Sequence, residues 1–216
     1  MKWNIPNQLT VSRVFLSAVF FVLLGIYDPN GPARAAIMGA GFVIYVLAGI
    51  TDVLDGYLAR RLNQVSTFGR MVDPIVDKVL VVGAFVMLAG PEYAMSASGH
   101  VGQFELQIPH WLTGGMASSV QPWMAVVVLG REFIISGIRG YSESQGKAFP
   151  ASSAGKIKML LQCIAIGTVL FFLAWTPGTT WAVCVKISAI WLAVLATVAS
   201  GLIYIYKARG LLRDDG

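Results

Sequence analysis

Six stretches of the chain, residues 10–27, 35–59, 71–89, 122–140, 157–175 and 187–206, are dominated by Leu, Ala, Val and Ile with few polar interruptions. Each is close to the ~20 apolar residues a helix needs to cross the ~30 Å hydrocarbon layer of a bilayer. The runs are long and continuous, not alternating in ~10-residue pieces, so they predict helices and not the strands of a barrel. The expectation is an all-α integral membrane protein with six transmembrane helices. Clusters of breakers separate the runs: "DPNGP", "SASGHVGQ", "KAFPASSAG" and "TPGTT". Only the second sits in a long connection, residues 91–121, which holds His100 and His110 and is expected outside the cytoplasm. No internal repeat divides the chain, so residues 1–216 are read as one membrane domain.

Composition agrees with lipid as the main solvent. Of 216 residues, 56% are hydrophobic and 12% charged, with a mean hydropathy of +0.69, outside the range of soluble globular domains. Basic residues set the orientation. Lys2, Arg13, Arg60, Arg61, Arg70, Lys147, Lys156, Lys158, Lys207, Arg209 and Arg213 fall on one face, against Arg34 and Lys186 on the other. Both termini are therefore expected in the cytoplasm. The net charge of +5 reads as topology and attraction to anionic headgroups, not as a nucleic-acid footprint. No small-x-small site follows "FFVLLGIYDPNG", which predicts an uncleaved first span. Cys163 and Cys184 are too few for a disulfide framework and read as small buried apolar residues.

Against this background, four carboxylates stand out. Asp52 and Asp55 are spaced i, i+3 near the end of the second stretch, and Asp73 and Asp77 are spaced i, i+4 at the start of the third. Each pair projects from one helix face. The short link "RLNQVSTFGR" lets the two helices run antiparallel as neighbours, so that a polar cleft at the cytoplasmic side can hold all four. Carboxylates that close repel unless a cation neutralises them. Oxygen-only ligands point to a hard ion, Mg²⁺, Mn²⁺ or Ca²⁺. Two such ions are a recurring device for displacement at phosphorus. The plainer alternative is interfacial pairing of the acids with Arg60, Arg61, Arg70 and Lys78. Gly56 and Gly69 flank the pairs and permit close approach, and Asp73-Pro74 suggests that Asp73 caps the third helix.

The completed pattern D-x-x-D-G-x-x-A-R, then G-x-x-x-D-x-x-x-D, formed by Asp52, Asp55, Gly56, Ala59, Arg60, Gly69, Asp73 and Asp77, resembles the signature of the CDP-alcohol phosphatidyltransferases. "NIPNQLTVSR", "DPIVDKVL", "GREFIISGIRG" and "SSAGKIKM" are similar to the bacterial branch of that family whose acceptor is glycerol 3-phosphate. The resemblance implies transfer of phosphatidyl from CDP-diacylglycerol to that alcohol, with release of CMP. It further implies two divalent cations, Mg²⁺ or Mn²⁺, on the four aspartates, with Asp77 also the general base. Asn7, Gly56, Ala59, Arg60, Ser66 and Gly69 would line the CDP-diacylglycerol site, in a homodimer of the bacterial cytoplasmic membrane. The acceptor phosphate needs cations of its own, and Arg131, Arg139 and Lys156 are the candidates, since guanidinium groups grip phosphate bidentately. Snorkelling, or pairing with Glu132 and Glu143, is the alternative for these three. Two other functions compete: the same chemistry on inositol phosphate, serine or phosphatidylglycerol, and transport of a divalent cation.

Overall fold

The computed structural model describes residues 5–61, 67–94, 110–146, 153–176 and 179–213; for residues 5–7, 55–61, 67–74, 77, 110 and 210–213 it describes the backbone alone. Seven α-helices are present among them: α1 (Ile5–Gly25), α2 (Arg34–Arg61), α3 (Thr67–Leu88), the single turn α4 (His110–Thr113), α5 (Pro122–Ser144), α6 (Ser153–Trp175) and α7 (Thr180–Arg213). All six predicted stretches fall on the six long helices. Four of these, α1, α2, α6 and α7, are long and apolar enough by length and composition to cross a membrane. The other two, α3 and α5, carry Asp73, Asp77, Lys78, Arg131, Glu132 and Arg139.

Each long helix runs past its apolar stretch at one end or both, while α1 ends at Gly25 and α3 at Leu88, short of residues 27 and 89. Pro122 opens α5 at its first turn, where its missing N–H costs nothing, and Gly146 closes it at φ +69°, a conformation favoured for glycine at a helix end. The start of α3 corrects one expectation. The helix begins at Thr67 and runs through Pro74, so Asp73 lies inside it and is not its cap.

The long helices form a ring in the order α1, α2, α6, α7, α5, α3 and back to α1, with α3 and α6 also touching across the middle. Between described residues, α2 and α3 are linked through α1 and α6. Phe20, Leu24, Met38, Ala84, Phe85, Leu88, Ile166 and Leu170 fill the interior. At Gly83 a Cβ would lie 2.5 Å from the ring of Phe21, so the missing side chain makes room for that ring between α1 and α3.

The outward surface is the apolar one. Phe15, Val53, Val126, Phe133 and Leu202 are exposed while Arg13, Lys158 and Lys186 are buried, an inversion consistent with a membrane protein. Cys184 is exposed and Cys163 half-buried, so neither is the fully buried filler expected.

One end of the bundle is closed by the described part of residues 91–121. Tyr93 Oη donates to Leu24 O at 3.0 Å and stacks on Tyr27, Ser118 Oγ donates to Leu88 O at 2.6 Å, and Lys186 Nζ donates to Ala117 O at 2.6 Å. The charged residues of interest gather at the opposite end.

Candidate active site

At that opposite end, antiparallel packing brings the beginning of α1 beside the latter part of α2. Arg13, 1% exposed, donates through Nη1 to Asp52 Oδ1, and Asp52 lies at the margin of a cavity of about 320 Å³ between α1, α2, α3 and α6. Apart from those two residues and Tyr45, Met159 and Cys163, that cavity is walled by aliphatic side chains and glycines.

A second cavity, of about 290 Å³, opens between α3, α5, α6 and α7. Val81 and Met159 line both, so the two spaces abut. Lys78 enters its wall from α3, Arg131, Glu132, Ser136 and Arg139 from α5, Lys156 and Lys158 from α6, and Tyr204 from α7. Among the described residues, five cations thus face one carboxylate. Helical phase explains the α5 set: positions 131, 132, 135, 136 and 139 form one stripe, with spacings of three and four residues.

The interior of this cavity is tied together by hydrogen bonds. Glu132 Oε1 accepts from Arg131 Nη1 at 3.0 Å and from Lys158 Nζ. Ser136 Oγ accepts from Lys78 Nζ at 2.6 Å and donates to Glu132 O at 2.6 Å. Arg131 lays its guanidinium carbon 5.5 Å from the centre of the Tyr204 ring. Its Nε is buried with no hydrogen-bond partner among the described residues. Lys156 and Arg139 are exposed at the rim. One carboxylate cannot neutralise five cations, so the described lining favours an anion.

The acceptor candidates Arg131, Arg139 and Lys156 are therefore brought to one cavity, and Arg131 also makes the pairing with Glu132 that was its alternative. Of the motif, Asp52 alone has a described side chain. Asp55, Gly56, Ala59 and Arg60 follow it on α2, Gly69, Asp73 and Asp77 lie on α3, and Asn7 on α1, each with a side chain outside the description. Ser66 and His100 lie outside the described residues altogether. Sequence reasoning missed Arg13, Lys78, Glu132, Ser136, Lys158 and Tyr204 as members of a site. For Glu132 and Lys158 the signal was available, since an ionisable group at membrane depth is a site candidate by default. Tyr204 carried no signal; its place follows from how α7 crosses α5.

The model of the family described as CDP-alcohol phosphatidyltransferase matches residues 3–199. The chain belongs to this family. Among its relatives is a Bacillus subtilis protein named CDP-diacylglycerol–glycerol-3-phosphate 3-phosphatidyltransferase, 30% identical over 216 residues and 95% of each chain. Proteins of the same name from Haemophilus influenzae and Salmonella typhimurium are 30% and 32% identical, each over all of this chain and over 98% and 100% of their own. The family match contains every aspartate of the motif and every cation of the second cavity, and ends before Tyr204.

CDP-alcohol phosphatidyltransferases use divalent cations. The donor set here suits such ions: Arg13 engages one oxygen of Asp52, leaving the other available, and every further candidate ligand in the motif is also a carboxylate. Were Asp52 to hold an ion, Arg13 would supply the hydrogen bond that orients it.

Proposed function

We propose that the chain transfers the phosphatidyl group of CDP-diacylglycerol to the sn-1 hydroxyl of glycerol 3-phosphate, forming phosphatidylglycerophosphate and CMP in anionic phospholipid synthesis. The observation that carries this reading is the cation-lined cavity abutting the one that contains Asp52. A small acceptor with its own phosphate uses such a cavity; a neutral or lipidic alcohol has little need of it.

In this reading Asp52, Asp55, Asp73 and Asp77 hold two ions, Mg²⁺ or Mn²⁺. When bound, these ions neutralise the pyrophosphate and lower the pKa of the attacking alcohol. Asn7, Gly56, Ala59, Arg60, Ser66 and Gly69 hold the CDP end of the donor. Arg60 adds positive charge where negative charge builds on the departing CMP. Arg131, Arg139 and Lys156 grip the acceptor phosphate, orienting the hydroxyl toward the donor. Asp77 accepts the hydroxyl proton as the O–P bond forms and the bond to CMP breaks.

The chain is a single membrane domain of six spans in the bacterial cytoplasmic membrane. Both termini and the site face the cytoplasm, residues 91–121 lie on the far side, and the protein acts as a homodimer. The charge asymmetry of its connections and the closure of the bundle by that segment at the end opposite the site support this arrangement.

The test is CMP release by detergent-purified protein given Mg²⁺ or Mn²⁺, CDP-diacylglycerol and a panel of alcohols. Glycerol 3-phosphate should be the preferred acceptor. Asp77→Asn should cost about 10²-fold or more in rate, and Arg139→Ala or Lys156→Ala should raise the KM for glycerol 3-phosphate. Equal rates across the panel, or full activity of Asp77→Asn, would remove the assignment.

A further inference from the structure

The last helix entered no motif and, through residue 206, carries one charge, Lys186, at the end remote from the site. Yet it forms a wall of the cationic cavity. Tyr204, 3% exposed, presents its ring to the Arg131 guanidinium, and three residues earlier Gly201 leaves space so tight that a Cβ there would lie 3.3 Å from Arg131 Cγ. One turn of α7 thus meets Arg131 at two points along its side chain.

From the other direction, Glu132 takes Arg131 Nη1 at 3.0 Å. The side chain is 10% exposed and is held between an anion on its own helix and an aromatic face on another. A long arginine loses substantial rotamer entropy when it binds a phosphate, and a ring held against the guanidinium removes part of that loss beforehand. The buried Nε–H without a partner leaves hydrogen-bonding capacity on Arg131 that its protein contacts do not use.

We propose that Tyr204, with Gly201, is a positioning residue for acceptor specificity: by stacking on Arg131 and fitting against its stem, α7 sets the plane in which the guanidinium receives the phosphate of the alcohol. This inference rests on the acceptor site assigned above. The ring acts through Arg131 and takes no part in the bond exchange, so its effect falls on acceptor binding and not on the donor.

The experiment compares Tyr204→Leu, Tyr204→Phe, Gly201→Ala and Arg131→Lys in the full-length protein, measuring KM separately for glycerol 3-phosphate and CDP-diacylglycerol. Loss of a desolvated cation–π contact predicts a rise of about tenfold in the KM for glycerol 3-phosphate in Tyr204→Leu. Tyr204→Phe keeps the ring and recovers most of that loss, while the KM for CDP-diacylglycerol stays level. Gly201→Ala, which presses on Arg131 from the same helix, raises the same KM and serves if Tyr204→Leu does not fold. A Tyr204→Leu enzyme whose acceptor KM is unchanged, or whose two KM values rise together, overturns the proposal, as does a Tyr204→Phe enzyme as impaired as Tyr204→Leu. If Arg131→Lys leaves the acceptor KM unchanged, the placement of Arg131 in the acceptor site fails; if Arg131→Lys raises it and the α7 variants do not, only the role of α7 fails.

Discussion

At the scale of single residues, Arg13 changed meaning most. Its position near the amino terminus marks it as a topological cation, and a buried arginine paired with a carboxylate is instead costly unless the geometry is used. Its contact with Asp52 crosses between helices 39 residues apart in sequence, which no local pattern reveals. With Asp52 a metal ligand, as proposed, Arg13→Gln should weaken Mn²⁺ binding by about 10- to 100-fold, the usual cost of losing an orienting partner of such a ligand. Titration of Mn²⁺ by electron paramagnetic resonance in the absence of substrate checks this; affinity equal to the wild type would reduce Arg13 to a packing residue.

At the scale of elements, α5 and α6 are locked by one carboxylate. Lys158 is 5% exposed and relies on Glu132, which reaches it from α5 across the cavity. Glu132→Leu leaves that ammonium buried without its counter-charge and should destabilise the protein by about 3–5 kcal/mol, whereas Glu132→Leu combined with Lys158→Met should recover most of it. Thermal unfolding in detergent distinguishes the two, and equal melting temperatures for the single and double variants would show that the pair is not the lock. The six helices were legible from hydrophobic length, and the α5 stripe from its helical phase. Their neighbours were not. The direct α2–α3 pairing that the short link suggested falls on side chains outside the description, and the described contacts join each of the two helices to α1 and to α6.

At the scale of the molecule, the two ends are built differently. The site end gathers cations around open space, and the other end is tied down by hydrogen bonds to backbone carbonyls. Tyr93 belongs to that tie. Burial, then the neighbouring Tyr27 and Glu92, push its hydroxyl above the ordinary 10.0, and Tyr27 is raised as well, chiefly by burial. The folded state holds these protons more tightly than the unfolded chain, so their contribution to stability is full below pH 10.0 and declines as pH rises beyond it. Melting temperature measured on both sides of that value should fall on the alkaline side, less steeply in Tyr93→Phe; an identical slope would place the alkaline sensitivity elsewhere.

Local pattern alone determined that there are six long helices and that four aspartates sit in helical phase near the ends of two of them, because hydrophobic length and phase are properties of consecutive residues. It also nominated Arg131, Arg139 and Lys156. Only the tertiary structure decided that these three share a cavity with Lys78 and Lys158, that Glu132 joins α5 to α6, and that an otherwise unremarked tyrosine on α7 stacks on Arg131. The reason is distance along the chain. Lys78 and Ser136 lie 58 residues apart, and Gln162 and Thr197 35 apart, so their meeting depends on which helices become neighbours in the ring, a choice made by packing across the whole bundle.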